Sequence, residues 1–235
     1  MVFRPRRMAY LASCLRPNLL SPMADRETSA EDFLPARPTL KSLRAAARSC
    51  KGCELYKDAT QTVFGEGTKQ ARVVFVGEQP GDMEDRQGRP FVGPAGRLLD
   101  RALTDAGISR EEVYITNAIK HFRWIYRGKR RLHQRPVLRH VIACRPGLRA
   151  ELAAIQPEVV VCLGATAAQA MLERVVGITK ERGKFLEDQS VGVLFVTIHP
   201  SAILRLRDKG QQDKEYRHFV AEMKMVRKRL GHKGA

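Results

Sequence analysis

No stretch of this 235-residue chain strings together the ~18 apolar residues that a transmembrane helix requires, so nothing in it reads as a membrane span. Cysteine is scarce. Five residues, two of them in Cys50-Lys51-Gly52-Cys53, are too few for a disulfide scaffold and suit metal or redox chemistry in a reducing compartment. Acid is what the chain lacks most. None precedes Asp25 and none occurs in the 38 residues from 113 to 150, in a chain with 42 Lys and Arg against 25 Asp and Glu. The resulting charge of +17 attracts polyanions, and the lack of a basic amphipathic anchor favours nucleic acid over a membrane surface. A hydrophobic content of 43% is enough for a full core, which excludes global disorder and fits one domain with a tail.

The stretch that organises the chain is Val73–Gly93, VVFVGEQPGDMEDRQGRPFVG. A β-branched run ends at Gly77 and breaks into Glu78-Gln79-Pro80-Gly81-Asp82. Such a carboxylate at the end of a strand is where open α/β sheets place their ligand site. An acidic turn (Asp82, Glu84, Asp85) and an aromatic between glycines, Phe91, follow. Gly93-Pro94-Ala95-Gly96 opens an apolar-periodic helix whose N-terminus can face an anion. An ordinary βα connection is the plainer reading of the same residues.

Residues 1–35 carry Arg4, Arg6, Arg7 and Arg16. They read as a disordered basic arm, a targeting peptide, or an extension ahead of a start at Met23. Thr39–Ser49 is helical in pattern and runs into Cys50-x-x-Cys53. Val113–Thr116 is a second strand ending at Asn117, Glu158–Leu163 a third, and Val193–Ile198 a fourth that delivers His199-Pro200-Ser201. Strands alternate with helices, so the expected fold is a three-layer αβα sandwich on a mostly parallel, four-stranded sheet. Its carboxyl edge would gather Glu78, Asn117 and His199. The acid-free interval interleaves Phe122, Trp124 and Tyr126 with Lys120, Lys129, Arg130 and Arg131, which suggests a phosphate track with stacking groups.

Taken together, GEQPGDxEDxxGxPFVGPAGRLLD, TNAIKHF and HPSAIL resemble the uracil-DNA glycosylase superfamily, in its iron–sulfur family 4 branch, over about residues 36–230. Gln79 and the insertion Lys129-Arg130-Arg131-Leu132-His133 further resemble the UdgX subgroup, which becomes covalently joined to uracil-containing DNA; Leu132 stands where that subgroup has isoleucine. The resemblance implies a glycosylase domain over residues 36–235. It also implies a preference for single-stranded DNA and a bacterial, nucleoid-associated cytoplasmic location; the sequence leaves the oligomeric state open, with a monomer as the default.

It implies roles as well. His199 is the uncharged donor to the departing uracil, Asn117 reads the uracil edge through its amide, and Phe91 stacks on the extruded base. Backbone around Gln79 completes the pocket. Glu78 sits by the sugar and His133, Asp82 assists, and Asp85 is a weaker candidate. His133 attacks the sugar C1′ and keeps it. Lys129, Arg130 and Arg131 hold DNA phosphates, with Lys120 and Arg205 as further contacts. Cys50, Cys53 and Cys144 match three ligands of a 4Fe–4S cluster and His121 stands at the fourth position, as histidine does in Rieske centres. A free dithiol or zinc site is the alternative for the Cys-x-x-Cys pair. Two other functions remain open: a turnover glycosylase in which His133 is idle, and a non-catalytic iron–sulfur module that senses lesions.

Overall fold

The computed structural model describes residues 28–188 and 190–231. In chain order it contains helix α1 (Leu40–Ala47), strands β1 (Glu66–Gly67) and β2 (Val73–Gly77), and helices α2 (Asp82–Gln87) and α3 (Pro94–Asp105). Next come β3 (Val113–Asn117), β4 (Trp124–Arg127), β5 (Arg130–His133), α4 (Leu138–Ile155), β6 (Val159–Leu163) and α5 (Ala165–Leu172). The last elements are α6 (Ile178–Glu181), β7 (Lys184–Asp188), β8 (Gly192–Thr197), α7 (Pro200–Leu204) and α8 (Lys209–Gly231).

The sheet has six strands in the order β1-β3-β2-β6-β8-β7, not the four expected. The four expected strands form its parallel centre, and β1 and β7 add antiparallel edges. Every residue of β2, β3 and β6 is buried, as parallel strands covered on both faces must be. Alternation sorts the two faces. Val74, Val76, Val160 and Cys162 join one core with α4 and α5, while Val73, Phe75, Val161 and Leu163 join the other with α3 and α8. Cys162 is thus a core residue.

Residues 1–27, with the expected basic arm and Cys14, lie outside the described residues. From Ser29 onward the chain already packs on the domain: Ser29 caps a short 3₁₀ turn, Ala30–Phe33, in which Ala30 is buried. The folded unit therefore takes in residues that the sequence assigned to the arm. Among the described residues no helix is long and apolar enough to cross a membrane.

Register brings the strand ends level. Gly77 pairs with Asn117, Val76 with Cys162, and Leu163 with Thr197. The chain steps from β2 to β3 on one side and returns to β6 on the other. The crevice beyond β2 and β6 is therefore the topological switch point, where open α/β sheets bind ligands.

Candidate active site

A cavity of about 870 Å³ opens at this switch point, and Glu78, Gln79, Asp82, Phe91, Asn117, His133, His199 and Arg205 all line it. Four segments distant in sequence are thereby brought together, as the convergence at the carboxyl edge implied.

Asn117 and Phe91 are buried residues of the cavity lining. The Asn117 Oδ1 atom is buried with no hydrogen-bond partner among the described residues, an orphaned acceptor that a ring N–H would satisfy. Gly77 makes this possible, because a Cβ there would overlap both that oxygen and the Phe91 ring. Phe91 itself has φ 56°, a left-handed backbone that a non-glycine residue holds only under constraint. Gly96 supplies the room, since any side chain there would collide with the Phe91 carbonyl.

His199 faces Phe91, with ring centroids 5.8 Å apart. Its Nδ1 accepts the Ser201 backbone N–H at 3.2 Å, and the Ser201 hydroxyl lies at 2.8 Å. An accepting Nδ1 leaves the proton on Nε2, so the neutral ring presents a donor. Burial pushes the imidazole pKa down to about 4, against the attraction of Glu78, so the ring is uncharged at neutral pH. Gly164, at φ 94° before α5, passes close to the His199 Cβ. Ser201 is a site residue that the sequence reading passed over.

Glu78 is held between two partners. Thr166 donates its hydroxyl to Oε2 at 2.5 Å, and His133 Nε2 lies 3.3 Å from Oε1. Burial alone would raise the carboxyl pKa; the hydrogen bonds from His133 and Thr166 outweigh it and hold the group below its ordinary value. Thr166 is the second residue missed. Its signal was position, one residue into the helix that follows a strand ending at the same sheet edge.

His133 ends the hairpin β4–β5, opposite Trp124, and is half-exposed. Two clamps fix this hairpin. Gln79 takes the Arg123 backbone N–H at 3.0 Å on its carbonyl and donates to the Arg123 and Gln134 carbonyls at 3.2 and 3.0 Å. The backbone around Gln79 was expected to complete the pocket; Gln79 lines it, and its side chain also ties down both ends of the His133 hairpin.

Arg131 is the second clamp, and here the phosphate assignment is corrected. Its side chain is only 9% exposed and reaches Asp82 at 2.5 Å and Asp85 at 2.7 Å. Asp85 is fully buried and also accepts the Thr60 N–H, so it serves this anchorage and not catalysis. Lys120 is corrected too. It is buried, with Nζ bonded to Glu151 at 2.5 Å, Thr116 at 2.6 Å and the Asn117 carbonyl at 2.9 Å, so it braces the backbone behind Asn117 out of reach of a phosphate. Lys129, Arg130 and Arg205 are exposed and remain available.

These placements give a paired expectation. Arg131→Ala leaves the Asp85 carboxylate buried without its partner and should cost about 3–5 kcal/mol in urea unfolding. Arg130→Ala should leave stability unchanged and make the salt dependence of DNA binding shallower by about one unit of log–log slope. Equal stability losses in the two variants would contradict the division of labour.

The four expected cluster ligands lie together. Cys50, Cys53, His121 and Cys144 line one small cavity of about 40 Å³ between α1 and α4. Among the described residues no three His, Cys, Asp or Glu side chains converge on the position of a single metal ion. Three thiols and an imidazole are donors of the kind that iron–sulfur clusters take. Burial raises the Cys50 and Cys53 thiols and pushes Cys144 up to about 12, so any metal that binds must displace their protons. Burial likewise lowers His121 to about 4, which keeps the imidazole neutral, while its Nε2 lies 2.9 Å from the Thr62 hydroxyl.

The family model described as the uracil DNA glycosylase superfamily matches residues 64–224. The chain is 39% identical over 176 residues to the type-4 uracil-DNA glycosylase of Thermotoga maritima, covering 74% of this chain and 85% of that protein. It is 39% identical over 175 residues to the type-4 enzyme of Archaeoglobus fulgidus, covering 70% and 84%. With the type-4 enzyme of Pyrobaculum aerophilum it shares 35% over 184 residues, covering 74% and 90%.

Proposed function

The chain belongs to the uracil-DNA glycosylase superfamily, and on that footing we propose that it excises uracil from DNA and then stays joined to the abasic sugar through His133. Excision draws on the pocket. Uracil departs with the electrons of its bond to C1′, so negative charge grows on its carbonyl oxygen and positive charge on the sugar. The neutral His199 Nε2–H is the donor for the first, and the Glu78 carboxylate is the counter-charge for the second. Uracil offers an N–H to the unpartnered Asn117 Oδ1 and a carbonyl to the amide nitrogen. Cytosine presents the opposite pattern, leaving two buried polar groups facing like partners. Phe91 supplies a stacking face for any pyrimidine.

The observation that carries the trapping step is the 3.3 Å contact between His133 Nε2 and Glu78 Oε1 at the mouth of this pocket. The imidazole nitrogen facing the sugar gives its electron pair to C1′ as uracil leaves, and the proton left on the ring passes to the Glu78 carboxylate. The product is a neutral N-alkyl imidazole with no easy hydrolytic exit. Gln79 and Arg131 hold the ring in place beforehand, which is where the rate advantage over water arises.

Turnover excision, with water in place of the imidazole, is the second reading. The glycosylase names of the relatives and the half-exposed mouth of the pocket both support it. A denaturing gel of protein mixed with a uracil-containing single strand separates the two. A shifted protein band supports trapping, and an alkali-cleavable abasic strand without a shift supports turnover.

Cys50, Cys53, His121 and Cys144 would hold a 4Fe–4S cluster, whose contribution is to pin the segment after α1 to α4. Protein prepared without air should therefore carry about four irons per chain, and Cys144→Ser should lose iron and fold together. His121→Cys should keep both. Zinc in place of iron in the anaerobic preparation would overturn the assignment.

A further inference from the structure

We propose that the exposed end of the β4–β5 hairpin is a stacking platform for bases of a single strand flanking the target nucleotide, with Tyr126 as its face. The proposal rests on the reading of DNA as the ligand and goes beyond the pocket. Tyr126 is 68% exposed, an unusual place for a ring of that size with no charge of its own.

The ring is nevertheless fixed. It stands perpendicular to Trp124 with centroids 4.5 Å apart. Trp124 in turn donates its indole N–H to the Asp58 carbonyl at 3.0 Å and lies 5.2 Å beneath the Arg131 guanidinium. A two-stranded hairpin alone is marginal in water, so this anchorage is what keeps the platform in one orientation.

Position and charge identify the occupant. Trp124 is the cross-strand partner of His133, and Tyr126 lies two residues further along β4 on the same face. Two residues of strand span ~7 Å, which matches two stacked base steps of ~3.4 Å each. Arg127, Lys129 and Arg130 surround the turn, all exposed and with no ion pair among the described residues. Asp82 and Asp85, which the hairpin reaches through Arg131, are already engaged by that side chain. A fixed aromatic face flanked by free cations, next to the residue that meets the sugar, suits bases and phosphates of one strand. A duplex has its base faces covered and cannot use it.

The test measures affinity for a uracil-free, roughly 16-nucleotide single strand and for its duplex, by anisotropy at fixed salt. Tyr126→Ala should weaken single-strand binding by about 5- to 150-fold, leave the salt slope unchanged, and change duplex binding far less. Tyr126→Trp should restore the single-strand affinity. Wild-type affinity in the alanine variant, failure of tryptophan to restore it, or an equal loss on duplex would each overturn the platform. Because the probe contains no uracil, a failure of excision in a separate assay would count against the proposed activity and leave this result standing.

Discussion

Replacing His133 by glycine should change a protein that stays on its product into one that releases it. The groups assigned to bond cleavage, Glu78, Asn117, Phe91 and His199, all lie outside the hairpin, and the hairpin is held by Gln79 and Arg131 rather than by the imidazole. Removing the ring therefore subtracts the nucleophile and one of the two partners of Glu78, whose carboxylate Thr166 still holds. A held group competes with water through an effective molarity that can reach ~10⁵ M or more, so its loss should abolish capture outright. Water then fills the space beside Glu78, whose carboxylate is positioned to orient it. On one uracil-containing single strand, the variant should yield free uracil and an abasic product with no cross-linked protein. Undiminished cross-linking would assign the nucleophile to another residue.

His199→Ala should slow uracil release and capture together, by about 10²–10³-fold, the range for loss of one donor to a developing anion. The pH profile adds an independent check. With its pKa depressed to about 4, the imidazole is neutral and donating at every pH well above that value, and it gains a second proton only as the pH falls through 4. Glu78 is held below its ordinary range, so it too stays ionised as the solution is acidified from neutral. The single-turnover release rate in wild type should therefore stay flat between pH 7 and about pH 5. A decline with a midpoint near 6.5, the ordinary histidine value, that persists in His133→Gly, where the other imidazole of the pocket is gone, would mean that His199 titrates as a solvent-facing group and is not the neutral donor.

The strands that build the site were plain in the sequence because burial on both faces demands continuous β-branched runs, as in Val73–Val76 and Val159–Val161. The edges were not. Glu66–Gly67 is too short to show a pattern, and Lys184–Asp188 mixes charge with Phe185 and Leu186 as a half-covered edge strand does. Glu78, Asn117 and His199 were legible because each ends a strand or stands within two residues of its end, so sheet register aligns them. Arg131 and Lys120 were misread for a common reason. Composition reports the sign of a charge but not its partner, and both partners, Asp85 and Glu151, come from distant segments. The role of the Gln79 side chain was hidden likewise, since it depends on Arg123 and Gln134, at the two ends of the hairpin, meeting the loop after β2. Thr166 and Ser201 are small hydroxyl residues whose types carry little signal until Glu78 and His199 are in place beside them.

The most direct test of the central claim is the intact mass of the wild-type protein after incubation with a uracil-containing single strand. One new species is expected, heavier than the protein by the oligonucleotide less uracil, with the added mass on the peptide that contains His133. Free uracil appearing while the protein mass stays unchanged would contradict the covalent step.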